Sequence, residues 1–266
     1  MSFEGKRVLA LESRRAQEIA ELIRRQGGDP FVAPSMREAP IEQNAALTEF
    51  AERLSAGDFD MMVLFTGVGT RQLNRALSEH YHETAFTDAL RKLTVVARGP
   101  KPVAALREMG IKAAIIAPEP NTWRELLAAT EGRLERRIAV QEYGRSNEEF
   151  LQALRARGAE VTPVRVYQYV LPEDTGPLRE AVKRLAAAEF DVAIFTTAVQ
   201  IEHLLRIAEE MGVEAAARAG LAKCMVASIG PSTTEMLEEF GIHPAMEPSH
   251  PKMGILVREA AERKLG

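Results

Sequence analysis

The sequence predicts an α/β protein of two similar doubly wound parallel-sheet domains, joined by a two-segment extended hinge, with an active-site cleft between them. Three observations predict it. The chain repeats itself, Arg7-Val8-Leu9-Ala10-Leu11-Glu12 being answered by Arg137-Ile138-Ala139-Val140-Gln141-Glu142 at an offset of 130. Gln26-Gly27-Gly28-Asp29 returns as Arg157-Gly158-Ala159-Glu160, Leu64-Phe65-Thr66 as Ile194-Phe195-Thr196, Gly99-Pro100 as Gly230-Pro231, and Met109-Gly110-Ile111 as Phe240-Gly241-Ile242, each at 130 or 131. A period this long exceeds the roughly 20 to 50 residues of a solenoid unit and marks whole domains. Second, short apolar runs alternate with amphipathic segments, the pattern of parallel sheets covered by helices on both faces. Third, 266 residues suffice for two domains, each with its own core.

The elements follow in order. Val8 to Leu11 is a strand, and Ala16 to Ile23 a helix whose Ile19, Leu22 and Ile23 share one face. Gly27-Gly28 ends that helix, and Pro30 to Pro34 is a second strand. The same unit recurs as Ile138 to Val140, Glu148 to Arg157 and Val161 to Tyr169. The longer part of the first copy supplies strands at Met61 to Phe65, Leu93 to Ala97 and Ala113 to Ala117. Its counterparts are Val192 to Phe195, Met225 to Ile229 and roughly His243 to Met246, giving five strands per domain. Two proline-bounded stretches, Pro34 to Pro40 and Tyr169 to Pro177, read as linkers. Periodicity leaves open whether each domain is contiguous or whether the short units are exchanged across those linkers.

Composition narrows the function classes. Hydrophobic residues make up 46% and charged residues 27%, a globular profile, with a formal net charge of −4. No lysine or arginine cluster marks a nucleic-acid surface. No apolar run approaches the roughly 18 to 20 residues of a membrane span, and Met1 to Arg7 carries no signal-peptide pattern, so the expected location is cytoplasmic. The one cysteine, Cys224, is expected to be a buried core thiol. His80 and His82 have no third ligand near them in sequence, and no metal site is predicted.

Ligands of open parallel sheets bind beyond the carboxyl ends of the strands. Four such places are small and polar: Thr66-Gly67-Val68-Gly69-Thr70, Arg98-Gly99-Pro100-Lys101, Thr196-Thr197-Ala198 and Ser228-Ile229-Gly230-Pro231-Ser232-Thr233-Thr234. Each follows an apolar strand and opens a helix, where unpaired N–H groups and a partial positive charge suit anions. The same residues also satisfy the needs of tight turns and helix caps, which is the plainer reading of any one loop. There is no Walker A sequence, no complete dinucleotide fingerprint and no hydrolase or metalloprotease motif. An enzyme built this way works chiefly by holding a reactive substrate in shape.

These residues resemble the uroporphyrinogen-III synthase family. The matching segments are Phe65-Thr66-Gly67, Phe195-Thr196-Thr197, Val164-Arg165-Val166-Tyr167-Gln168, Ser228-Ile229-Gly230-Pro231-Ser232-Thr233 and Glu247-Pro248-Ser249-His250-Pro251-Lys252, in the family's order over nearly the whole chain. The resemblance implies exchanged domains, 1–36 with 174–266 and 42–167, linked by 37–41 and 168–173, which pair as a ladder. It implies cyclisation of hydroxymethylbilane to uroporphyrinogen III with loss of water and inversion of the D ring, without cofactor or metal. The implied partner is a linear tetrapyrrole polycarboxylate, handed over transiently by the enzyme that forms it, with no nucleic acid or membrane involved and a monomeric protein. By resemblance Tyr167 assists hydroxyl departure and Thr233 binds a substrate carboxylate. The other expected substrate contacts are Thr66, Gly67, Val68, Gly99, Thr196, Thr197, Ala198, Gly230, Pro231 and Ser232, with Arg98 and Lys101 added from position alone. Gly67 stands where many relatives carry serine, so backbone contact is expected there. The alternative is a two-lobed, non-catalytic binding protein for a small anion; Tyr167 at the linker and the lack of an export signal speak against it.

Overall fold

The computed structural model describes residues 2–41, 45–142, 144 and 146–263. β1 (Arg7–Ala10), α1 (Ala16–Arg25) and β2 (Asp29–Val32) come first, then β3 (Arg37–Pro40) and α2 (Ala45–Ala56). Next come β4 (Met61–Leu64), α3 (Gly67–His80), α4 (Ala85–Leu90), β5 (Thr94–Ala97), α5 (Pro100–Glu108) and β6 (Ile115–Ile116). α6 (Trp123–Ala129), β7 (Arg137–Gln141), α7 (Glu148–Ala156), β8 (Glu160–Val164) and β9 (Tyr167–Val170) follow. The chain closes with α8 (Gly176–Ala186), β10 (Val192–Phe195), α9 (Val199–Glu210), α10 (Glu214–Leu221), β11 (Met225–Ser228), α11 (Pro231–Glu239) and α12 (Met253–Glu262).

The chain divides into two units, Met1–Arg37 with Tyr169–Gly266, and Glu38–Gln168. The first holds a sheet ordered β11-β10-β1-β2 and the second a sheet ordered β6-β5-β4-β7-β8, with parallel pairing throughout. β1 thus sits between β10 and β2 as β7 sits between β4 and β8, which is the sequence repeat rendered in space.

The first unit shows why its sheet is covered on both sides. Successive residues of a strand point to opposite faces. Leu9, Leu11, Ala193 and Phe195 enter one core with α8, α9 and α10, while Val8, Ala10, Val192 and Ile194 enter another with α1 and α12. In the second unit Met61, Val63 and Phe65 pack with Leu126, Phe150 and Leu154 of α6 and α7. The repeat also fixes the opposite, amino-terminal ends of both sheets. Arg7 pairs with Asp191, and Arg137 pairs with Asp60 at 2.6 Å, each arginine side chain and backbone N–H closing on one carboxylate. The Arg137 guanidinium holds the Asp60 carboxyl down to about 2.

Three expectations require correction. The fifth strand expected at roughly His243 to Met246 is reduced to a single parallel bridge, Ala227 to Met246. Pro244 and Pro248 flank that bridge and carry no N–H, so the ladder cannot extend beyond the Ala245 and Ser228 amides. Val161 to Tyr169 is not one strand: β8 belongs to the five-stranded sheet, and β9 pairs instead with β3. That pairing joins the two linker stretches to each other, as the ladder implied by the resemblance requires. Cys224 is half-buried rather than fully buried; its Sγ donates to the Phe190 and Gly220 carbonyls, and burial pushes the thiol up to about 11.

Candidate functional site

In the second unit β4 ends at Leu64 and the chain turns through Thr66 into α3. Thr66 is the N-cap, its Oγ1 accepting from the Gly69 amide at 3.0 Å. Its own amide donates to Gln141 Oε1 at 3.1 Å, so the fully buried Gln141 at the end of β7 clamps the turn. A Cβ on Gly69 would collide with the Gln141 amide, and one on Gly67 would lie 2.5 Å from the Lys101 carbonyl. Both glycines are required by close approach rather than by backbone angles. The amides of Gly67 and Val68 are left at the helix start without an intrahelical acceptor.

Tyr167 begins β9 with no exposed surface, and its hydroxyl lies 3.1 Å from Thr66 Oγ1. Either oxygen can donate in that pair. Arg98, after β5, lays its guanidinium 5.2 Å from the Phe65 ring centre, directly before Thr66 in the turn. Gly99 fits against the side chain of Asn121, whose amide nitrogen donates to the Ala117 and Arg98 carbonyls at 3.0 and 3.2 Å. Lys101 is exposed. Thr66, Gly67, Arg98, Lys101 and Tyr167, dispersed over a hundred residues, thus surround the ends of β4 and β5.

The first unit repeats the turn with different partners. After β10, the amides of Thr196 and Thr197 both donate to Gln200 Oε1, at 2.7 and 3.2 Å, and Gln200 Nε2 donates to Thr196 Oγ1 at 3.0 Å. Thr196 Oγ1 donates to Glu12 Oε2 at 2.6 Å. Ala198 is the N-cap of α9. After β11, Ser228 Oγ donates to the Gly230 carbonyl, and Gly230 caps α11. Thr233 is buried inside the first turn of α11; its amide and that of Thr234 donate to the Gly230 carbonyl at 2.9 and 3.0 Å. Gly230, not Thr233, is therefore the cap.

The four loops are not equivalent as anion sites. α5 carries Pro100 and Pro102 in its first turn, leaving Lys101 to supply an amide there. Pro231 withholds its amide likewise, leaving Ser232. At Thr196 and Thr197 the amides already serve Gln200. The more open starts are Gly67-Val68, Ala198 and Ser232.

Glu12, Gln141, Glu142 and Gln200 are not among the expected contacts. Glu12 and Glu142 hold matching positions in the repeat, a signal that was present. Glu142 is buried at the end of β7 and accepts from the Asn147 amide at 2.9 Å and from Ser146 Oγ at 3.0 Å. Burial pushes its carboxyl up, against the pull of those two donors. Among the described residues no three His, Cys, Asp or Glu side chains are grouped to hold a metal ion. The side chain of His80 lies outside the described residues. No described helix is long and apolar enough to cross a membrane.

Comparison with known proteins bears on this geometry. The profile of the uroporphyrinogen-III synthase family (HemD) matches residues 17–258. A putative uroporphyrinogen-III synthase from Methanothermobacter thermautotrophicus is 32% identical, over 86% of this chain and 87% of its own. The Bacillus subtilis protein YjjA is 29% identical over 97% and 96%. A crystal structure of a mutant uroporphyrinogen III synthase from Thermus thermophilus shares the fold, with a TM-score of 0.71 at 24% identity, covering 96% of this chain and 97% of that one. The chain belongs to the uroporphyrinogen-III synthase family.

Proposed function

We propose that this protein is a lyase that converts hydroxymethylbilane to uroporphyrinogen III, removing the terminal hydroxyl as water and inverting the D ring on closure. The observation that carries the reading is the paired Phe-Thr turn. Phe65-Thr66 and Phe195-Thr196 lie within the family match, and both end a fully buried strand and open a helix. The amides of Gly67, Val68 and Ser232, with Arg98 and Lys101, supply donors and positive charge for substrate carboxylates. Thr233 contributes through its buried side chain, packed in the first turn of α11 beside the Ser232 amide.

Tyr167 is the residue we assign to hydroxyl departure. It is buried beneath Thr66, so it acts through Thr66 Oγ1 at 3.1 Å. The Tyr167 proton passes to Thr66 Oγ1 as the Thr66 proton passes to the departing oxygen, which leaves as water when its C–O bond breaks. The pyrrole carbon attacked on ring closure later releases a proton, which restores the tyrosine. An electron-rich pyrrole expels the protonated hydroxyl as water with little further help, so geometry carries most of the catalysis.

Bilane consumption tests the reading. The rate above spontaneous closure should rise in proportion to protein and stay unchanged with a metal chelator present. Consumption at the spontaneous rate, with the bilane merely bound, would replace this reading with an anion-binding protein.

A further inference from the structure

The two Phe-Thr turns have opposite polarity. Thr66 Oγ1 accepts from the Gly69 amide and meets Tyr167, and the neighbouring Gly67 and Val68 amides remain as donors. Thr196 Oγ1 instead gives its one proton to Glu12 Oε2 at 2.6 Å while accepting from Gln200 Nε2 at 3.0 Å. A hydroxyl has one proton and two lone pairs, so what Thr196 has left to offer is a lone pair. The Thr196 and Thr197 amides both point at Gln200 Oε1. Glu12 is held in place by the Arg15 amide, which donates to Oε1 at 3.2 Å, and it brings negative charge to within one hydrogen bond of the turn. Such a site repels carboxylates and attracts N–H donors.

We infer that Glu12, acting through Thr196, makes this turn an acceptor subsite for pyrrole N–H groups, whereas the Thr66 turn takes carboxylates. The inference rests on the cyclisation reading and assigns Glu12 as a positioning residue. It also accounts for Gln200 closing two amides, those of Thr196 and Thr197, where Gln141 closes the Thr66 amide and leaves that of Gly67 open. Glu142, at the matching position, does not repeat the arrangement, because its Oε1 accepts from Ser146 and Asn147.

Glu12→Gln keeps the shape and removes the charge. Two probes separate the ligand classes: uroporphyrinogen III, which carries pyrrole N–H groups, and benzenehexacarboxylate, which carries carboxylates alone. The variant should bind uroporphyrinogen III about tenfold more weakly, a charge-assisted acceptor having become a neutral one. It should bind benzenehexacarboxylate as well as wild type or better, since a like charge has gone. Thr196→Val should weaken uroporphyrinogen III binding by a similar factor, and Thr196→Ser should restore it. Tighter or unchanged binding of uroporphyrinogen III by Glu12→Gln overturns the inference, as does equal weakening toward both probes, which marks a structural role. If the wild type forms no type III isomer, the cyclisation reading falls and takes the inference with it. If the wild type forms that isomer, an adverse binding result removes the inference alone.

Discussion

A fragment spanning 174–266 is expected to be unfolded in isolation, whereas one spanning 42–167 folds. The reason is the position of β1. It lies inside the sheet of the first unit, between β10 and β2, so its loss leaves only the β11–β10 pair. Removing residues 1–36 also takes Val8, Leu9, Leu11, Ile19 and Ile23 from the two cores, each of them essentially without exposed surface. Burial of such side chains contributes roughly 1.5 to 3 kcal/mol each, so about 7 to 15 kcal/mol is lost. That equals the whole stability of an ordinary domain, roughly 5 to 15 kcal/mol. The second unit takes its sheet and the core around Phe65 and Phe150 from residues 61–164. Far-ultraviolet circular dichroism and thermal melting of the two fragments check this. A monodisperse 174–266 fragment with a cooperative melt would mean that β1 is dispensable.

Much of this arrangement was legible because the repeat is written in residues that the fold uses. The apolar runs of β1, β4, β7 and β10 announce themselves, since strands covered on both faces need continuous hydrophobic sequence. Arg7 and Arg137 stand 130 apart in the repeat and Asp60 and Asp191 stand 131 apart, so the double clamp could have been read as well. The prolines of α5 and those flanking Met246 were also in plain view, and local chemistry explains why each limits backbone donation. What escaped depends on distance along the chain. Gln141 reaches Thr66 across 75 residues, and Glu12 reaches Thr196 across 184. No local pattern shows that a glutamine will close one turn or a glutamate reverse the polarity of another. The β3–β9 pairing was legible only through the family resemblance, since its proline-bounded stretches carry turn signals rather than strand signals.

Tyr167→Phe should lower turnover by about 10²-fold, the low end of general-acid contributions, while leaving product affinity nearly unchanged. Only the hydroxyl is removed, and with it the 3.1 Å contact to Thr66 Oγ1; the buried ring and the Gly69 cap stay. The lost hydrogen bond costs about 1 kcal/mol of stability, a melting shift of a few degrees. Thr233→Ala should do the reverse, weakening product binding about fivefold with turnover at saturation preserved, because it removes a buried hydroxyl and methyl group from the packing under the start of α11 without touching the proton path. Steady-state kinetics and product titration on both variants separate the roles. If Tyr167→Phe turns over like wild type and merely melts lower, the tyrosine is a packing residue.

The ring inversion is the most demanding part of the account, because hydroxymethylbilane closes unaided to the type I isomer. The direct measurement is the isomer ratio of the porphyrins obtained by oxidising the product formed from freshly generated hydroxymethylbilane with this protein. Type III should dominate once enzymatic closure outruns spontaneous closure, and its share should rise with protein concentration. A product that remains type I at high protein concentration would contradict the proposed reaction.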